Sequence, residues 1–91
     1  MSTDRELLEL AAKAAGITLQ FDAAGTAWKK WPSFSWNPLT DDGDALRLAV
    51  KLYLWEPIML AHREVSDGVD FYAATRRAIT RAAAEIGKAM P

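Results

Sequence analysis

The stretch Thr3-Asp-Arg-Glu-Leu-Leu-Glu-Leu-Ala-Ala-Lys-Ala-Ala-Gly-Ile-Thr-Leu-Gln-Phe21 changes its hydrophobic period partway along, and that change sets the fold class. Thr3 followed by Glu6 makes a capping box, and Leu7, Leu10, Ala11 and Ala14 then recur at helical spacing. Gly16 closes this helix, since glycine enters the left-handed region without a Cβ penalty and lets Ile17 fold back on the last turn. Beyond it Ile17, Leu19 and Phe21 alternate with Thr18 and Gln20, the two-residue repeat of a half-buried strand. A helix running directly into a strand implies a mixed domain in which helices cover a sheet.

Downstream, Asp22 to Gly25 supplies turn chemistry, and a second extended segment runs from about Ala27 to Trp36. Pro32 within it cannot donate to a ladder, which requires an edge position or a break. Asn37-Pro38-Leu39-Thr40 ends the strand, and Thr40 or Asp41 can cap a second helix. There Leu46, Ala49, Val50 and Tyr53 form an apolar stripe that Leu48 and Leu52 widen, with Arg47 and Lys51 on the other side. Pro57 stops this helix by about Glu56. Ile58 to Val65 reads as a short third strand, Ser66 to Gly68 as a turn, and Asp70 as the cap of a last helix, Phe71 to about Ala89. On that helix Tyr72, Thr75, Ile79, Ala82, Ala83, Ile86 and Met90 share one face, and Arg77, Arg81, Glu85 and Lys88 the opposite one. The expected fold is α+β: one domain over residues 1–91, a three-stranded sheet with three helices in the order α-β-β-α-β-α. Leu46 and Ile79 are the expected centres of their apolar stripes.

With 91 residues, 51% of them hydrophobic and 25% charged, the chain has the composition of a single globular domain. So short a chain has little room for both a core and a supported active site. The absence of cysteine excludes disulfides and thiolate metal sites. No apolar run has the length of a membrane span, and Asp4, Glu6 and Glu9 stand where a signal peptide would be basic and then apolar, so an intracellular protein is expected.

Asp41, Asp42 and Asp44 invite a divalent-cation reading, yet their spacing at a helix start fits capping better than an EF-hand loop. His62 is the only histidine; neither it nor Ser2, Ser33, Ser35 or Ser66 stands in a catalytic motif, and Gly25, Gly43 and Gly68 make no phosphate loop. No cofactor or metal is implied. Trp28, Lys29, Lys30 and Trp31 interleave aromatics with lysines, a combination used on single-stranded nucleic acid as well as in hairpin packing. Charge is asymmetric: residues 71–91 carry Arg76, Arg77, Arg81 and Lys88 against Glu85, a net of +3, while residues 1–70 are net −4. Such a distribution suits an acidic protein partner, a phosphate backbone, or the chain's own acidic half. The candidate contact residues are Arg77, Arg81, Lys88, Lys29, Lys30, Trp28 and Trp31.

The string Trp36-Asn-Pro-Leu-Thr-Asp-Asp-Gly-Asp-Ala-Leu-Arg-Leu-Ala-Val-Lys-Leu52 resembles the central motif of a family of small uncharacterised proteins of bacteriophages and prophages of proteobacteria. Asp4 to Ile17 and Tyr72 to Met90 are similar to that family's first and last helices. The resemblance covers about half the chain and implies a phage α-β-α sandwich domain acting in the bacterial host cytoplasm. It brings no activity with it, and the segments between the matched strings lie outside it. The expected function is a non-enzymatic phage accessory protein that binds a host or phage protein, with host metabolism or defence as its field. A nucleic-acid-binding module is the alternative, and a small enzyme comes third.

Overall fold

The computed structural model describes residues 3–30, 34–54, 56 and 70–91. Helix α1 spans Asp4–Ala15, and Thr3 caps it as expected: its side-chain oxygen accepts from the Glu6 N–H at 3.1 Å. At the other end Gly16 takes φ 73°, its N–H donating to the Lys13 carbonyl while the Ile17 N–H reaches back to Ala12 at 2.8 Å. This Schellman closure sends the chain directly into the extended segment.

Strands β1 (Gln20–Phe21), β2 (Ala27–Lys30) and β3 (Phe34–Ser35) form an antiparallel sheet in that order, with β2 central. The segment Ala27–Trp36 therefore contains two strands, and Trp31, Pro32 and Ser33 between them lie outside the described residues, as do the strand expected at Ile58–Val65 and the turn at Ser66–Gly68. Gln20 pairs with Trp28 and Phe21 with Ala27; across β2, Trp28 faces Ser35 and Lys30 faces Phe34. Two steps along β2 match one along β3, so Lys29 is the extra residue of a bulge.

Helix α2 (Asp42–Leu52) is capped by Asp41, whose carboxylate accepts from the Asp44 N–H at 2.8 Å. It ends before the limit set by Pro57 because Tyr53 takes a left-handed φ of 57° and the Leu54 N–H donates to the Ala49 carbonyl. Helix α3 (Phe71–Ala89) starts at its expected cap, with the Asp70 carboxylate accepting from the Ala73 N–H at 3.1 Å.

The described residues thus form an α+β domain of three helices and a three-stranded antiparallel sheet. The core gathers Leu8, Ala11, Ala12 and Ala15 of α1, Ala27 of β2, Trp36 and Leu39 of the connection, Ala45, Leu48 and Ala49 of α2, and Ile79 and Ala83 of α3. Ile17, Leu19 and Phe21 pack against it from the edge, and the Arg5 guanidinium lies 4.3 Å from the Phe21 ring centroid, holding β1 to α1.

Ile79 is buried as its stripe requires, but two helical faces differ from the sequence expectation. In α2 Leu48 is 3% exposed while Leu46 is 57% exposed, and Val50 and Tyr53 also face outward. The cause is Asp44: its Oδ2 accepts the Asn37 N–H at 3.0 Å, which turns Asp44, Ala45, Leu48 and Ala49 inward together.

 

In α3 the buried face is Ile79, Thr80, Ala83, Ala84 and Gly87, whereas Tyr72, Ile86 and Met90 are exposed. Close approach explains this rotation. Helices α1 and α3 run parallel, since Asp4 meets Arg77, Leu10 meets Gly87 and Lys13 meets Met90 along their length. Gly87 lies directly against the Leu10 carbonyl, so the interface selects small residues over large apolar ones. Thr80 is tolerated there because its hydroxyl donates to the Arg76 carbonyl at 2.8 Å.

Candidate functional site

The segment from Trp36 to Asp44 fastens the sheet to α2. The Trp36 N–H donates to the Ala27 carbonyl at 2.9 Å, and its side chain is buried. The Asn37 side-chain oxygen accepts from the Leu39 N–H at 3.0 Å, while its carbonyl accepts from the Thr40 and Asp41 N–H groups. Each aspartate of the acidic cluster has a separate task. Asp41 is the cap, Asp44 binds the Asn37 N–H and the Arg47 guanidinium, and Asp42 pairs with Arg76 at 2.6 Å. Arg76 also donates through Nε to the Leu39 carbonyl at 2.9 Å, tying α3 to the same segment. Among the described residues no group of three or more His, Asp or Glu side chains is placed to hold a metal ion. His62, Ser2, Ser33 and Ser66 lie outside the described residues, and Ser35 is exposed on β3.

The candidate contact residues separate into different surroundings. Arg77 donates through both terminal nitrogens to Asp4, at 3.2 and 3.4 Å, so part of the positive charge of α3 is met by the chain's own acidic half. Arg81 and Lys88 are exposed further along the helix. Trp28 is half-buried, its indole N–H donating to Asp22 Oδ2 at 3.1 Å, which makes it a hairpin-packing residue. Lys30 stands in β2 opposite Phe34, and Trp31 lies outside the described residues. Lys29 joins Arg47 and Lys51 of α2 around a groove of about 260 Å³, floored by Ala15, Ile17, Trp36 and Leu48. The sequence reading placed Arg47 and Lys51 only on the polar side of α2, one helical turn apart; Lys29 joins them through the fold.

Asp22 organises the β1–β2 turn. Its Oδ1 accepts from the Ala24 and Thr26 N–H groups, each at 2.9 Å, and Gly25 completes the turn at φ 85°. The Thr26 N–H, then the Trp28 indole, and then the Ala24 and Gly25 N–H groups hold the carboxyl below the ordinary aspartate value of 3.8, against an opposing effect of burial. A lowered pKa means that the folded state favours the anion. The turn's contribution is therefore present above pH 3.8 and is lost as the pH falls through the lower folded value. Urea titrations from about pH 5 to about pH 2.5 should show a smaller acid-induced loss in Asp22→Asn than in the unsubstituted protein. Equal losses would show that this turn does not contribute to acid sensitivity.

A second groove, of about 330 Å³, opens between α2 and α3. Leu46, Ala45, Phe71, Tyr72, Thr75 and Ile79 line it, with the Asp42–Arg76 pair at its margin. Leu46, which lines this groove, is followed one turn later by exposed Val50 on α2, and the exposed Tyr53 stands just past the end of that helix. Tyr53, whose positive φ goes with the bonds that close α2, is 82% exposed. No helix of the described residues is long and apolar enough to cross a membrane. No protein family, curated protein or solved structure matches this chain.

Proposed function

We propose that this chain is a non-enzymatic phage or prophage accessory protein that binds a host or phage protein in the bacterial cytoplasm. The observation that supports the binding function is the exposure of Leu46 and Val50 on α2 and of Tyr53 at its end, together with Tyr72 beside the α2–α3 groove. Large apolar side chains grouped on a surface mark protein contacts, and tyrosine is among the residues that supply most of the binding energy at such contacts. Tyr53 adds support through its outward-facing ring, which stands at the end of α2. The resemblance of Trp36 to Leu52, and of the two terminal helices, to small phage proteins supports the phage origin.

Affinity capture from a bacterial lysate, with and without nuclease, tests this function. A partner retained after nuclease treatment should be lost when Leu46→Glu and Tyr72→Glu are combined, while the thermal transition stays within a few degrees because both side chains are exposed. Capture that survives the double substitution would remove this face from the site. Capture abolished by nuclease, with affinity falling steeply as salt rises, would favour the nucleic-acid-binding alternative.

A further inference from the structure

We infer that the groove bounded by Lys29, Arg47 and Lys51 is a docking site for an acidic peptide segment of a partner protein, one that carries an apolar side chain between its carboxylates. Its surface is distinct from the α2–α3 face, so the two assignments stand or fall separately. Three cations from two elements border one groove: Lys29 from the β2 bulge, and Arg47 and Lys51 one turn apart on α2. Arg47 lies beside Asp44 and 4.0 Å from Asp41, so its charge is largely met at the start of α2 and an incoming anion is drawn chiefly to the two lysines. Arg47 is already oriented, since Nη2 donates to Asp44 Oδ1 at 2.8 Å, whereas Lys29 and Lys51 form no ion pair among the described residues. The floor between the cations is apolar, with half-buried Ile17 as its more accessible part above the buried Trp36 and Leu48.

The dimensions and chemistry select the occupant. A volume of about 260 Å³ accepts one apolar side chain and is small for a drug-sized ligand. The cations are spread around the margin, which suits separate carboxylates along a peptide better than one compact phosphate. Nucleic acid fits less well. Trp36 is 2% exposed and offers no face for base stacking.

The test uses the full chain and a fluorescein-labelled peptide, Glu-Asp-Glu-Leu-Glu-Asp, followed by anisotropy at low salt. Lys29→Gln combined with Lys51→Gln should weaken binding about tenfold, and replacing the peptide leucine with serine should weaken it comparably. Absence of binding, or affinity indifferent to both changes, would overturn the assignment. Tighter binding of an oligothymidylate of equal charge would overturn it in favour of nucleic acid. Should the double variant fail to fold, amide NMR shifts in the unsubstituted protein decide: movement at Lys29 and Lys51 on peptide addition supports the site, and its absence removes it.

Discussion

Gly87→Ala is expected to destabilise the protein by roughly 3 kcal/mol or more, although alanine is the better helix former. A Cβ at Gly87 would stand 2.8 Å from the Leu10 carbonyl carbon and closer still to its oxygen. That obstacle is backbone and cannot rotate away, so α1 and α3 must separate along the face where Ala11, Ala12, Ala83 and Ala84 lie buried. In an exposed helix the same substitution would gain about 1 kcal/mol, so the sign of the change separates the two cases. Urea denaturation measures it. A neutral or stabilising result would mean that the two helices do not approach each other at Leu10.

Trp36→Ala should cost about 3 to 5 kcal/mol, a large share of the stability of a domain this size. The indole is 2% exposed, and small neighbours such as Ala15, Ala27, Ala45 and Ala49 belong to the same core cluster, so little bulk is available to fill the space left behind. Leu46→Ala is the matched control. Its side chain is 57% exposed, and its removal should change stability by less than about 0.5 kcal/mol. Comparable losses at both positions would contradict the observed orientation of α2.

Much of the architecture was legible in local sequence. Thr3, Asp41 and Asp70 cap helices by bonding N–H groups three residues ahead, and Gly16 closes α1 within a single turn. These are short-range interactions, set by the residue types at neighbouring positions, so they can be read without knowing what packs where. The alternation of Ile17, Leu19 and Phe21 likewise survives as three half-buried side chains.

The candidate site was less legible. Lys29 and Trp28 adjoin in sequence, yet one borders a basic groove and the other donates to Asp22. Arg77 was a candidate contact by charge alone, but Asp4, at the far end of the sequence, meets it in the fold. Residues that converge through pairings so distant in sequence leave no periodic signal.

The sequence by itself determined where the described helices begin, how α1 ends, and that helices and strands share one domain, because caps and hydrophobic periods act over a few residues. Only the tertiary structure decided which helical faces turn inward. Leu46 and Val50 are more apolar than Thr80, Ala84 and Gly87, yet the latter are buried. The physical reason is that burial rewards the best-packed arrangement of whole elements: Gly87 admits the α1 backbone, Asp44 draws α2 inward through the Asn37 N–H, and large apolar side chains are left facing solvent.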